Sequence, residues 1–199
     1  MAARKPATTT PTVFLLSPAN LAGVRGAQLV APEADFETAV RYRSAEGVPI
    51  AEAFSFVSSL YFRGKIAYAR RFAAEEGIRV IAPGVGLVPP DWRLTPERLA
   101  ILRTPVDLAS PAYCGPLSAH ARELRALMPE AGRVILLGSV ATGKYVDLLR
   151  PVFGDRLLFP REFAGMGDMQ RGALMLRAAR EGQELEYVNL DAPRHRTGP

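Results

Sequence analysis

A chain of 199 residues with 48% hydrophobic and 23% charged residues has the size and composition of one globular domain, which excludes wholesale disorder. No apolar run approaches the roughly 20 residues that span a bilayer, and the run at 13–16 is too short for a signal peptide, so we expect a cytoplasmic protein. The net charge of +5 permits an anionic partner, either a small molecule or nucleic acid, but does not require one.

Residues 1–11 and 191–199 lack hydrophobic periodicity and are predicted to be a disordered tail and a basic tail around one domain, 12–190. Within the domain, strands and helices alternate in this order: a strand over Thr12–Leu16, a short helix over 33–42, a long helix over 51–76 that Gly64 could interrupt, a strand over Ile78–Ala82, a helix beginning at Thr95-Pro96, a helix over 118–128, a strand over Arg133–Leu137, a helix over 145–153, a strand over 156–159, a helix over 169–180 and a final strand over 185–190.

This alternation, with several strands that are continuous apolar runs, predicts an α/β fold with a mostly parallel sheet of about five strands and helices on both faces. The segments 13–16, 80–82, 134–137 and 157–159 should be neighbours in it. Ligands of such sheets bind beyond the carboxyl ends of the strands. The loops at 17–20, 83–91, 138–144 and 163–171 are therefore the places to look for a site.

Cysteine and histidine chemistry is restricted by the counts of these residues. The one cysteine, Cys114, excludes an internal disulfide and a cysteine-based zinc site, and it is interpreted as a small buried hydrophobe. His120 and His195 are the two histidines, and His195 lies in the polar tail. We therefore expect no metal site, and the sequence leaves the cofactor unknown.

A glycine-lysine loop follows the strand at 133–137 and fits the pattern G-x-x-x-x-G-K, with Gly138, Ser139, Gly143 and Lys144 as candidate ligand-binding residues. Tyr145 stands where a phosphate-binding loop carries the Mg²⁺-binding serine or threonine. The alternatives are an anion site at a helix start, a tight structural turn, and a degenerate nucleotide-hydrolysing loop.

A second glycine-rich loop opens the helix at 169–180. Gly167 favours close approach of a ligand to the backbone, and Arg171 can clamp an anion. Asp168 is a candidate catalytic acid or base, or only the N-cap of the helix. If the loop holds an anion, Arg171 must point into a cleft shared with 138–144 or 84–86.

The remaining candidates are weaker. Gly84 and Gly86 would let a ligand approach the backbone, or they shape a turn. Tyr61 and Lys65 lie four residues apart on one helix face. They are interpreted either as ligand contacts or as a packed tyrosine beside a surface charge.

Ser17 and Asn20 close the first strand and are also candidate ligand contacts. A nucleophilic role for Ser17 requires a neighbouring base, and the chain has no G-x-S-x-G motif. His120 is a candidate for that base only because it is present.

Four motifs carry a family resemblance: S-P-A-N at 17–20, L-Y-F-R-G-K at 60–65, L-L-G-S…K-Y across 136–145 and G-D-M-x-R-G at 167–172. With them, the chain resembles an uncharacterised bacterial family. More distantly it resembles YaaA-like and archaeosine-synthase C-terminal domains, through Leu60-Tyr61 and G-L-V-P at 86–89. The cysteine and lysine that follow the first strand in that group are replaced here by Ser17 and by Asn20 or Leu21.

The resemblance implies an α/β fold and a preference for nucleotides, modified bases or nucleic acid, but it does not carry over an activity. Three hypotheses follow. The first is an enzyme or sensor that binds a nucleotide-like or phosphorylated small molecule, held by Arg171, Lys144 and Tyr61. The second is a nucleic-acid-binding accessory protein that uses the general positive charge. The third is a degenerate P-loop NTPase.

Overall fold

A six-stranded sheet forms the centre of the computed structural model, which describes residues 11–140, 143–189 and 191. Its strands are β1 (Thr12–Leu16), β3 (Ile78–Ala82), β4 (Gly86–Val88), β6 (Arg133–Leu137), β7 (Leu157–Pro160) and β8 (Tyr187–Asn189), and a separate pair is formed by β2 (Val48–Pro49) and β5 (Arg93–Leu94). The order in the sheet is β4-β3-β1-β6-β7-β8. The four inner strands are parallel, and the edge strands β4 and β8 run antiparallel.

Helices cover both faces of the sheet. They are α1 (Val24–Val30), α2 (Glu37–Arg43), α3 (Ile50–Ser58), α4 (Leu60–Phe72), α5 (Pro96–Leu102), α6 (Pro111–Leu127), α7 (Val146–Phe153) and α8 (Asp168–Glu181). Alternate residues of β1 enter different cores: Phe14 and Leu16 pack with α3, α4 and α8, whereas Val13 and Leu15 pack with α6 and α7. A strand buried on both sides is a continuous apolar run, which is the pattern that predicted this fold.

The predicted architecture is confirmed. The four segments expected to be neighbours are β1, β3, β6 and β7, joined in parallel register through pairs such as Val13 with Val134 and Ile135 with Leu158. The sheet has one strand more than expected, because the three-residue edge strand β4 folds back on β3 as a hairpin. The predicted tails lie almost wholly outside the described residues, at 1–10 and 192–199.

Several predicted helix boundaries were wrong, and one helix was missed. The long helix at 51–76 breaks at Ser59, whose φ of 53° and ψ of −120° are unusual for a residue with a side chain, and not at Gly64. Such a conformation costs on the order of 1–3 kcal/mol and persists only where the surroundings impose it. Helix α6 begins at Pro111 and not at 118, because the buried Tyr113 and Leu117 anchor a segment that its glycine and prolines seemed to exclude. Helix α1 was not predicted at all.

Gly64 lies inside α4 and allows α8 to pack directly against it. A Cβ atom on Gly64 would lie 2.6 Å from the carbonyl oxygen of Gly172, and a Cβ atom on Gly172 would lie 2.7 Å from the carbonyl oxygen of Leu60. The two helix backbones therefore touch at this crossing. Because Lys65 and Arg171 are the neighbours of these glycines along the chain, the contact also brings both cations to one place.

We expect Gly64→Ala to destabilise the protein by about 1–3 kcal/mol, because the added methyl group must push the helices apart. The measurement is the free energy of unfolding in urea. Gly115→Ala is the matched control, since this exposed residue of α6 has no atom within 4 Å of an added Cβ. Alanine is favoured over glycine inside a helix by roughly 0.5–1 kcal/mol, so the control should be neutral or stabilising. Equal stability of the two variants would contradict the close crossing.

Candidate functional site

A cleft of about 430 Å³ opens at the carboxyl ends of β1 and β6, and we call it the Ser17 cleft. Ser17 directly follows β1, and Ser139 comes two residues after β6, so these adjacent parallel strands deliver both loops to the same edge of the sheet. The cleft is lined by seven of the residues singled out from the sequence: Ser17, Asn20, Tyr61, Ser139, Lys144, Asp168 and Arg171. Arg171 thus shares a cleft with the 138–144 loop, which is the arrangement that its predicted role requires.

Lys65 lies beneath the Ser17 cleft and is bound to Ser17. Only 1% of Lys65 is exposed. Its Nζ donates a hydrogen bond of 2.7 Å to the hydroxyl oxygen of Ser17 and another of 3.0 Å to the carbonyl oxygen of the same residue. The Nζ also lies 3.8 Å from the centre of the Tyr61 ring. Among the described residues, no carboxylate lies within ion-pair distance of this lysine.

Burial lowers the pKa of Lys65 from 10.5 to about 7, because the interior stabilises the neutral amine relative to the ammonium. The Asp168 carboxylate opposes this shift, and the Arg171 guanidinium reinforces it. Near neutral pH, both forms of Lys65 are therefore populated. When neutral, the nitrogen has a lone pair that can accept the proton of the Ser17 hydroxyl.

The absence of a side chain at Gly138 makes room for Ser17. A Cβ atom on Gly138 would lie 2.9 Å from the Cβ of Ser17 and 3.0 Å from its Oγ. The N–H of Ser17 donates to the carbonyl oxygen of Leu137 at 3.2 Å, which continues the pairing of β1 with β6 past the end of the strand. The backbone on both sides thus fixes the position of the serine.

Arg171 is held rigidly at the wall of the cleft. Its Nε and Nη2 donate to the carbonyl oxygen of Phe163 at 3.2 and 3.0 Å, and only 12% of its side chain is exposed. The third nitrogen, Nη1, lies 3.6 Å from Asp168 Oδ1, and that carboxylate belongs to a side chain that is 69% exposed. Asp168 is the first residue of α8 and not its N-cap, which is Gly167.

The Tyr61 hydroxyl is buried, and among the described residues it has no hydrogen-bond partner of ordinary geometry. Burial raises the pKa of this hydroxyl, and the nearby Arg171 acts against that shift. A buried polar group without a partner is costly. Tyr61 lines the cleft, but its hydroxyl oxygen lies behind the cleft wall.

A second cleft of about 470 Å³ adjoins the first, and we call it the Phe54 cleft. Asn20, Lys144 and Tyr145 line both clefts. The remaining wall of the second cleft includes Phe54 and Leu102, which are apolar, as well as the polar Arg103 and Thr104. Each of the two clefts therefore exposes both polar and apolar groups, and each contains at least one cation.

Gly84 and Gly86 line neither cleft, and the structure gives them a packing role in the β3–β4 hairpin. Both have positive φ angles, of 75° and 105°. Their Cβ positions would lie 2.5 Å from Thr104 Oγ1 and 2.5 Å from His120 Nδ1, so protein atoms already occupy the space that a ligand was expected to use. His120 Nδ1 accepts the N–H of Leu87 at 3.0 Å, and the base beside Ser17 is Lys65 instead.

The glycine-lysine loop is only partly described, because residues 141 and 142 lie outside the described residues. Lys144 is exposed at the edge shared by the two clefts. Gly143 lies next to an acidic group: a Cβ atom placed on it would be 2.6 Å from Asp147 Oδ2. A carboxylate at this point repels phosphate, which disfavours the nucleotide-hydrolysing alternative.

Sequence reasoning missed Tyr145 as a lining residue. It was noted only as a departure from the phosphate-loop pattern, yet its side chain is buried between the two clefts. Burial raises its pKa to about 12, and the neighbouring Tyr61 adds to this shift. An aromatic residue at the start of a helix that follows a central strand was the available signal.

No family model, no curated protein and no solved structure matches the chain. The family resemblance drawn from the four motifs therefore stays a prediction. Within the described ranges, no helix is long and apolar enough to cross a membrane. In the same ranges, no group of three or more histidine, cysteine, aspartate or glutamate residues is placed to hold a metal ion.

We expect the stability of the protein to rise between about pH 7 and pH 10.5 because of Lys65. In that interval the folded lysine is neutral while the unfolded lysine still binds a proton, so raising the pH favours the folded state. The free energy of unfolding relative to Lys65→Met should increase by up to about 1.4 kcal/mol per pH unit.

Urea unfolding at several pH values from 6 to 9.5 measures this slope. The control is Lys144→Met, which removes the same charge from an exposed position and should keep the slope of the unchanged protein. A constant difference between the unchanged protein and Lys65→Met over this range would show that the folded lysine keeps its proton.

Proposed function

We propose that the chain binds a small phosphorylated or nucleotide-like molecule across the Ser17 and Phe54 clefts. The observation that carries the proposal is the position of Arg171. Two of its nitrogens are fixed on the Phe163 carbonyl oxygen, which orients the planar guanidinium at the wall of a cleft that Lys144 and Ser139 also line. A preoriented arginine loses little conformational entropy when it pairs with a phosphate or carboxylate.

The charges around the cleft favour an anion. Arg171 and Lys144 contribute two positive charges, and the first turn of the 14-residue helix α8 adds the partial positive charge of its free N–H groups. Asp168 contributes one negative charge, but its carboxylate is largely exposed, and water screens it. Asp147 contributes a second negative charge beside Gly143. An anion is therefore favoured beside the fixed guanidinium of Arg171 and not beside Gly143.

The shape of the two clefts suits a ligand with one charged end. Each cleft has a volume within the range of roughly 300–1,000 Å³ that is usual for small-molecule sites. With the phosphate beside Arg171, the rest of the molecule can extend past Tyr145 into the Phe54 cleft. Leu21 and Val106, which are partly exposed, offer apolar surface there for a base or another planar group, and Arg103 and Thr104 offer polar contacts.

The test measures the binding of nucleoside monophosphates, ribose 5-phosphate and inorganic phosphate. The readout is the shift in the melting temperature of the protein. A probe at 100 times its Kd adds about 2.7 kcal/mol of stability, which a thermal scan detects. For a probe that binds, we expect Arg171→Gln to weaken the affinity about 10- to 150-fold, because a charge-assisted hydrogen bond contributes about 1.5–3 kcal/mol. Lys144→Gln should act in the same direction.

Arg177→Gln is the matched control, because this exposed arginine lies on the same helix outside the lining of both clefts. Equal affinities of the Arg171 and Arg177 variants would contradict the proposal, as would the absence of any shift with all the probes at millimolar concentration. Tight, strongly salt-dependent binding of oligonucleotides without binding of the small probes would favour the nucleic-acid hypothesis instead.

A further inference from the structure

We infer that Ser17 and Lys65 form a nucleophile and base pair that cleaves a carboxylic ester bound in the Ser17 cleft. This inference rests on the proposed function for the place of the substrate, and it adds a reaction to it. The geometry that carries it is a direct hydrogen bond of 2.7 Å between a fully buried amine and the hydroxyl of a serine that lines a cleft. A nucleophile within hydrogen-bond reach of a positioned base is the signature of covalent catalysis.

The contacts of the Lys65 nitrogen leave its lone pair for Ser17. Among the described residues, the nitrogen contacts the carbonyl oxygen of Ser17, the hydroxyl oxygen of Ser17 and the face of the Tyr61 ring, and the Phe62 ring lies farther away at 5.6 Å. A neutral amine has two hydrogens, which match the carbonyl oxygen and the ring face. The lone pair then points at the hydroxyl, so the serine becomes the donor and the lysine the acceptor.

The groups that face Lys65 come from three elements. Tyr61 and Phe62 belong to its own helix, Ser17 follows β1, and Asp168 and Arg171 act on it from α8. With a pKa of about 7, a large fraction of the lysine is neutral at neutral pH and ready to take a proton.

The serine is also placed correctly for attack. It follows a central strand, its backbone is fixed by Leu137, and Gly138 leaves the space that its side chain occupies. Arg171 lines the same cleft, and its guanidinium can stabilise the negative charge that develops on the carbonyl oxygen.

The reaction runs in two balanced steps. In the first, Ser17 Oγ bonds to the carbonyl carbon while its proton passes to Lys65 Nζ, and the ester C–O bond then breaks as Lys65 returns the proton to the leaving alcohol. In the second, water attacks the serine ester and gives a proton to Lys65. The acid then leaves, and Oγ regains the proton. The net change is ester plus water to acid plus alcohol, with no change in oxidation state.

A fluorophosphonate probe tests the pair in the full-length protein, because it bonds to a nucleophilic serine oxygen with loss of fluoride. Mass spectrometry should find one adduct, on Ser17, and none on Ser17→Ala. The labelling rate should rise through about pH 7, and Lys65→Met should lower it by about 100-fold or more, as expected for loss of a general base. Ser118→Ala, a change on α6 away from both clefts, should label like the unchanged protein.

Other outcomes overturn the inference. They are no adduct on Ser17 at any pH, a rate that does not depend on pH, and a rate unchanged in a folded Lys65→Met protein. If the Lys65→Met variant does not fold, the pH dependence of the labelling rate of the unchanged protein still tests the inference. Hydrolysis of 4-nitrophenyl phosphate but not of 4-nitrophenyl acetate would overturn the ester class. If Arg171-dependent binding persists while Ser17 stays unlabelled, the cleft binds an anion without serine chemistry, and only this inference fails.

Discussion

The burial of the Lys65 side chain is the constraint on which the site depends. An ammonium group loses most of its hydration at 1% exposure, and in the described part of the chain no adjacent carboxylate offsets this loss. The amine of Lys65 therefore joins helix α4 to the end of β1, and its burial favours the neutral form of the amine. The hydrogen bonds to Ser17 and the contact with the Tyr61 ring satisfy that group in either protonation state.

The contact between α4 and α8 determines what surrounds this lysine. Because Gly64 and Gly172 allow the helix backbones to touch, Arg171 comes near Lys65 and further disfavours a second positive charge. Arginine keeps its proton at any ordinary pH, whereas the buried lysine does not. The cleft thus combines a permanent cation for holding an anion with a nitrogen that exchanges a proton near pH 7.

The sequence was informative where a pattern depends on local burial. The inner strands are apolar on both faces, so their runs predicted the parallel sheet and the edge at which its loops meet. The short edge strand β4 has little pattern of its own and depends on pairing with a neighbour, whereas the strand expected over 185–190 is present as β8. The break at Ser59 was not predictable, because serine has no intrinsic preference for its conformation there.

The residues of the candidate site likewise divide into those that the sequence predicted and those that it could not. The carboxyl-end rule brought Ser17, Lys144 and Arg171 into consideration because it depends only on strand order. It also suggested Gly84 and Gly86, whose space is taken by side chains distant in sequence. Spacing placed Tyr61 and Lys65 on one helix face, but it cannot tell a buried face from an exposed one. The bond between Lys65 and Ser17 joins residues 48 positions apart, and only tertiary packing creates it.

The pKa of the Lys65 amine can be measured directly by NMR, from the ¹³Cε chemical shifts of labelled lysine during a pH titration. The chain has three lysines, Lys5, Lys65 and Lys144, so their signals can be assigned by single replacements. We expect one signal, the one missing from Lys65→Met, to titrate near pH 7. Titration of all three signals near pH 10.5 would show that the lysine stays charged when the protein is folded, and it would contradict the role of Lys65 as a base for Ser17.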